Sequence, residues 1–309
     1  MKSTTFILAL IPLLAAVGCA DVQQATYSTP DDAVNALITA GRARDKAALR
    51  KIFGPDSEKL LSSGDAVADR NTAEKFLAAY DEKHNLAPGE NGKMTLVVGK
   101  DWPFPIPLVK DAQKGTWHFD TAAGQEEILN RRIGRNERNV INVCGAVVDA
   151  QREYAIRDPN GDGVPEYAEK FLSDPGKKNG LFWETAEGEP PSPLGPLVGN
   201  AVAEGYTHGT DGEPKPYHGY FYRILTSQGA NAPGGAYDYL VGGKLIGGFA
   251  LVAYPAEYGN SGIMTFMVSH SGTIYQRDLG ENTAKLAKEI NKFDPGPGWE
   301  KVEPAIATE

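Results

Sequence analysis

The sequence predicts an α+β protein in two parts. Three observations carry that class. Early in the chain, Ala33, Val34, Leu37 and Ile38 keep helical spacing, and from Met94 onward the period shortens to strand alternation. A long helical run then carries Val140, Val143, Cys144, Val147, Gln151 and Tyr154. The last third holds strand-like runs at residues 219–226, 246–254, 263–269 and 273–278, the final two joined across a tight turn at His270, Ser271 and Gly272.

Each element has a local reason. Thr29 precedes Pro30, Asp31 and Asp32: a capping hydroxyl, proline at the first helical position, and acids in the first turn. Asp45 caps a second helix bearing Leu49, Ile52 and Phe53, stopped by Gly54 and Pro55. Asn71 with Glu74 has the form of a capping box for a helix with Phe76, Leu77 and Tyr80. Residues 94–98 read as a strand, 102–109 as proline-broken extended chain, and 116–120 as a strand. Residues 122–133 are helical, and Asn136 opens the longer helix. After a loop at Asp158 a short helix is expected to end near residue 173. Residues 175–216 read as loop, anchored by Leu181, Phe182 and Trp183. Asn282 caps a closing helix with Leu286, Ile290 and Phe293 on one face. The expected divisions are a signal peptide at 1–18, a tether at 19–28, an N-terminal α+β domain at 29–134, a C-terminal α+β domain at 135–300 and a tail at 301–309.

The start of the chain bears on compartment. Lys2, an apolar stretch over 6–17 and small residues before Cys19 follow the order of a secretory signal. Ala16, Val17, Gly18 and Cys19 resemble a bacterial lipobox, which implies cleavage before Cys19 and acylation of its thiol. The stretch is shorter than the roughly 20 apolar residues a membrane-spanning helix needs. Ala20, where an aspartate would retain such a protein in the inner membrane, points to the outer membrane facing the periplasm. The expected partners are the membrane, through the lipid on Cys19, and an envelope protein. Net charge is −9 with no long basic run, which argues against nucleic acid. Arg131, Arg132, Arg135 and Arg138 stand beside Glu126, Glu127 and Glu137 and read as a solvated, ion-paired helix face. The other cysteine, Cys144, lies among valines and reads as a buried, inert thiol.

Three resemblances add to this. The N-terminal helices followed by a Trp-x-Phe strand resemble the cone-shaped fold of the nuclear-transport-factor-2 type. The long helix followed by a four-stranded antiparallel sheet resembles the globular head of pilins and pseudopilins, although this helix is internal and only partly apolar. The run from Tyr217, His218, Gly219 and Tyr220 to Gly229, with residues 131–137, 176–183, 232–239, 247–259 and 293–295, closely resembles one bacterial lipoprotein family, domain of unknown function 2950. That family carries no assigned reaction, so the resemblance implies no catalytic residues.

The sharpest motif is Asp158, Asn160, Asp162, Gly163 and Glu169, which fits the spacing of an EF-hand calcium loop. Asp158, Asn160 and Asp162 would supply side-chain oxygens, Val164 its carbonyl and Glu169 a bidentate carboxylate. Pro165 departs from the pattern, because it removes the N–H that pairs with a second loop. A solitary structural calcium clip is the expectation, against a metal-free Asx turn. Tyr206, His208, His218 and Tyr220 form an aromatic, polar stretch that would suit a ligand groove. The sequence carries no zinc-protease, serine-hydrolase, P-loop or dinucleotide signature. The expected function is an envelope-anchored, non-catalytic binding or assembly module. The alternatives are a periplasmic hydrolase with a pocket near Tyr206–Tyr222, and a component of a secretion or pilus-like apparatus.

Overall fold

The computed structural model describes residues 23–207 and 214–303, so Cys19 and His208 lie outside the described residues. Thr29 starts the first helix as its sequence requires. Its hydroxyl accepts the Asp32 N–H at 3.1 Å, and Asp32 accepts the Thr29 N–H at 3.2 Å. Helices α1 (Pro30–Ala43), α2 (Lys46–Phe53), α3 (Glu58–Leu61) and α4 (Ala66–Glu82) follow. Asp45 caps α2 through the Ala48 N–H at 3.0 Å. The start of α4 differs from expectation: Asp65 caps it, and Asn71 lies inside the helix with its amide on the Glu204 carbonyl at 2.8 Å.

The helices pack on an antiparallel sheet of β1 (His84–Pro88), β2 (Met94–Val98), β3 (Trp102–Pro103), β4 (Leu108–Lys110) and β5 (Trp117–Phe119). Its order is β1-β2-β4-β5, with β3 also paired to β2. Val34, Leu37, Ile38, Phe53, Leu96, Ile106, Leu108 and Phe119 are buried between the layers. The expected tether is not free over its last part. Gln24 donates to the carbonyls of Ile52 and Phe119 at 3.0 and 2.7 Å, and Tyr27 bridges to Trp117.

Helix α5 (Thr121–Arg157) replaces the two helices expected on either side of Gly134. It has 37 residues and is about 55 Å long. A helical glycine costs only about 1 kcal/mol, and the packing of both ends of α5 offsets that. The expected boundary at 134/135 therefore falls inside one continuous helix. After α5 the chain runs extended, with no helix up to residue 173: Tyr167 bridges to Leu245, and Leu172 to Phe182. Helix α6 (Gly195–Ala203) occupies part of the expected loop.

The rest is β-rich: β6 (Tyr220–Leu225), β7 (Ser227–Gln228), β8 (Tyr237–Asp238), β9 (Leu240–Val241), β10 (Lys244–Leu245), β11 (Ala250–Pro255), β12 (Met264–Ser269) and β13 (Ile274–Asp278), then α7 (Thr283–Glu289) and β14 (Glu300–Lys301). The main sheet is antiparallel in the order β14-β13-β12-β11-β6 and contains all the strands expected for this third. One face packs on α5, burying Val140, Cys144, Val147, Leu251, Phe266 and Val268. Helix α7 ends at Glu289, short of Ile290 and Phe293: it buries Thr283 and Ala287 and leaves Leu286 39% exposed, while Phe293 is buried beyond its end. The class is α+β. Among the described residues no helix is long and apolar enough to cross a membrane.

Arg132 on α5 clamps the two halves. Its guanidinium donates to the carbonyls of Lys59 and Leu60, at 2.7 and 2.9 Å, and to the Asn260 side chain. Asn260 in turn donates to the Ser62 carbonyl at 2.7 Å. Of the expected solvated arginine face, Arg131 alone forms a surface pair among the described residues, with Glu127 at 2.7 Å.

Candidate functional site at the seam of the two halves

The Asp65 side chain joins the halves from the N-terminal side. It is 2% exposed. Oδ1 accepts the N–H groups of Val67 and Ala68 at 3.1 and 3.0 Å, which starts α4. Oδ2 accepts the Tyr206 hydroxyl at 2.8 Å and the Gly219 N–H at 2.9 Å, both from the other half. Burial and the neighbouring Asp65 raise the Tyr206 pKa, so the phenol stays protonated and donates.

Gly219 can reach Asp65 because of a tight turn. Tyr217 and Tyr220 bridge across it, and His218 and Gly219 have φ of 50° and 77°. Two successive positive φ values are the geometry of a primed turn. A Cβ on Gly219 would lie 2.6 Å from Asn136 Nδ2, so the position needs glycine for space as well as for conformation.

Above this junction lies a cleft of about 580 Å³. Helix α4 contributes Asn71, Thr72, Lys75 and Phe76, and β3 contributes Trp102. Helix α5 contributes Arg135, Asn136 and Asn139, and the far wall is Glu204, Tyr206 and His218. Its groups fall into two sets. Asn136, Tyr206 and Asn71 are bonded across the seam. Lys75 and Arg135 form no ion pair, and Asn139 makes no side-chain hydrogen bond, among the described residues. His218 Nε2 lies 3.5 Å from Glu204 Oε2. Burial lowers the His218 pKa, with Arg135 acting in the same direction and Glu204 and Asp65 opposing. A groove of about 490 Å³ continues the cleft between α5 and α6, sharing Asn139, Glu204 and His218 with it. Behind Tyr206 an apolar cavity of about 400 Å³ is walled by Val143, Val147, Leu197, Val198, Phe221 and Tyr222, and shares Val143, Leu197 and Tyr217 with that groove.

The residues expected to form a groove are divided by the structure. Tyr206 and His218 line the cleft. Tyr220 is fully buried, its hydroxyl on the Met264 carbonyl at 3.0 Å, and lines none of these cavities. Cys144 is fully buried, and burial pushes its thiol up to about 12. His118 pairs with Val109 in the N-terminal sheet, away from the cleft. Asp65, Lys75, Arg135 and Asn139 were not legible as site residues. The Asp65 cap signal precedes Ala66 in the sequence, but its second role needs the other half of the chain. Helix α6 was also missed, although Leu197, Val198, Ala201 and Val202 follow Pro196 at helical spacing, because Gly195, Gly199 and nearby prolines interrupt the pattern.

The calcium motif folds as a turn at the end of α5. Asp158 has φ 46° and accepts the Gly163 N–H at 2.8 Å; Asp162 accepts the Val164 N–H at 2.9 Å. Asn160 donates to Asp162 at 3.1 Å and also to Glu166. The Lys244 ammonium meets Asp162 and reaches Glu166 at 3.8 Å, and it holds the Asp162 carboxyl below the usual range. Glu169 is exposed within the extended segment. Asp158 Oδ1 is buried and lacks a donor. No group of three or more His, Cys, Asp or Glu side chains is gathered to hold a metal among the described residues.

Fold and site together define an α+β protein with a ligand-sized cleft where its halves meet. Residues 24–302 match the family described as "Protein of unknown function (DUF2950)", and the chain belongs to that family. No curated protein and no solved structure matches it.

Asp65→Ala removes a helix cap and both seam bonds, so it is expected to cost about 2–4 kcal/mol in urea unfolding. Asp65→Asn, which keeps the cap, should cost less. A second expectation concerns pH. Below about 6.5 the unfolded chain binds a proton at His218 that the folded chain refuses. Stability should therefore fall as pH drops from about 6.5, until the depressed folded value is passed. His218→Asn, which tolerates positive φ, should flatten that part of the wild-type stability curve between pH 7.5 and 5.

Proposed function

We propose that the chain is an envelope-anchored, non-catalytic binding module whose ligand seat is the seam cleft. The carrying observation is the division of labour in its walls. Asn71, Tyr206 and Asn136 are engaged in holding the halves, while Lys75, Arg135 and Asn139 face the cleft without side-chain partners among the described residues. A volume of about 580 Å³ falls in the range of small-molecule sites, about 300–1,000 Å³. Sites at the meeting of two packed halves are also a common place for ligands. In this reading Cys19 carries the lipid that holds the module at the outer membrane facing the periplasm, near an envelope partner. Membrane fractionation of Cys19→Ser checks the anchor, and a variant that stays membrane-bound removes it.

Thr72 is exposed on α4 and lines the cleft. Thr72→Trp should fill the seat at little cost to folding. Ligand-detected NMR against a library of small polar molecules should find binders of the wild-type chain that Thr72→Trp loses at unchanged melting temperature. A library whose binders ignore the substitution overturns the seat.

A hydrolase is the second reading, favoured by the contact of His218 with Glu204. Burial keeps His218 neutral near pH 7, the state a general base needs. Hydrolysis of an envelope ester or amide that disappears in His218→Asn would replace the binding reading.

Calcium at Asp158, Asn160, Asp162, Val164 and Glu169 is the remaining part of the proposal. The buried, donor-free Asp158 Oδ1 supports it. The oxygen set fits only in part, since Glu169 is exposed on a segment that forms no returning helix and Lys244 already meets Asp162 and Glu166. Calcium would then compete with Lys244. Sub-millimolar calcium should raise the melting temperature relative to chelator, more so in Lys244→Gln, and not at all in Asp162→Ala. An unchanged midpoint in both the wild type and Lys244→Gln removes the metal.

A further inference from the structure

Resting on the cleft as the ligand seat, we propose that its ligand is an acidic oligosaccharide, a chain of pyranose rings bearing carboxylates. The first support is a series of side-chain amides along the cleft and its continuing groove. Asn136, Asn139 and Asn142 stand three residues apart on α5, and such neighbours lie about 5–6 Å apart at Cβ, close to the length of one sugar ring. Asn136 is engaged with the Ser261 carbonyl, whereas Asn139 and Asn142 face the groove. Asn200 on α6 faces them from the opposite wall. Each amide offers both donors and an acceptor, the complement of vicinal hydroxyl and acetamido groups, which also donate and accept.

The second support is an aromatic face at one end. Trp102 is 41% exposed and lines the cleft. Phe76 and Phe104 fix its ring by steeply inclined contacts, at 6.3 Å and 70° and at 6.2 Å and 61°. A large ring already held in place presents an apolar face to the C–H side of a sugar with little further ordering cost.

The third support is charge. Lys75 and Arg135 line the cleft together with Trp102, and the carboxylate of its far wall, Glu204, is beside His218. Two cations without ion pairs select a carboxylate on the ring that Trp102 receives. An extended peptide could also use amides, but it would want apolar pockets for alternate side chains. Among the described residues one apolar cavity adjoins the amide-lined groove, sharing Val143, Leu197 and Tyr217 with it, whereas an extended peptide would want a series of such pockets along its length.

The test uses the purified full chain on a panel of oligosaccharides: uronate-containing, muramic-acid-containing wall fragments, and neutral ones. Calorimetry then compares the best acidic binder, its carboxamide derivative and an acidic hexapeptide. The acidic oligosaccharide should bind at least ten-fold more tightly than either comparator. Asn139→Ala should weaken it several-fold at unchanged melting temperature, and Arg135→Gln should abolish the preference over the carboxamide. Equal binding of the carboxamide overturns the role of charge. Tighter binding of the hexapeptide assigns the groove to peptides instead. Binding indifferent to Asn139→Ala is general charge attraction and also overturns the proposal. Should no saccharide bind while the library still yields Thr72→Trp-sensitive ligands, the saccharide falls and the seat stands. Should neither occur, both fall.

Discussion

One buried carboxylate ties the two halves of the architecture together. Asp65 is almost out of reach of water, and a buried charge is costly unless it is hydrogen-bonded. Its two oxygens take four donors: two that begin α4, the Tyr206 phenol, and the Gly219 amide. The helix start in the N-terminal half and the turn before β6 in the C-terminal half are thus tied to the same atoms. The cleft is bounded by α4 on one side and by Tyr206 and His218 on the other. Its width therefore follows from this junction.

Helix α5 supplies the second constraint. Its residues 132–137 are spread around the helix at the crossing between halves, and several work across it. Arg132 takes the carbonyls at the end of α3, Asn136 takes the Ser261 carbonyl, and Glu137 accepts the N–H groups of Ile263 and Met264 at 3.0 Å each. Burial lowers the pKa of Arg132, with the Asp69 and Glu257 carboxylates opposing that shift. Arg135 carries none of this structural duty and lines the cleft. Side-chain direction on one helix thus separates the residues that fix the seam from those that only line the cleft.

The turn after α5 shows how a local pattern meets its surroundings. Asp158, Asn160 and Asp162 fold into the compact turn their spacing allows. The segment that should return Glu169 as a helix instead runs extended and bridges Tyr167 to Leu245. That bridge brings Lys244 against Asp162 and Glu166. A cation does meet the acidic turn, and it comes from the chain itself.

By itself the sequence determined what short-range physics decides. The Thr29 and Asp45 caps, the strands of the C-terminal third, the turn at His270 and the buried state of Cys144 all follow from neighbours a few residues away or from local apolar context. Tertiary structure decided the rest, because it depends on partners far along the chain. Gly134 reads as a break until both ends of α5 are packed. Asn71 reads as a cap until Glu204 offers its carbonyl, and the arginine cluster reads as solvated until Arg132 meets Lys59 and Leu60. The cleft joins side chains more than a hundred residues apart, and no periodicity encodes such a meeting.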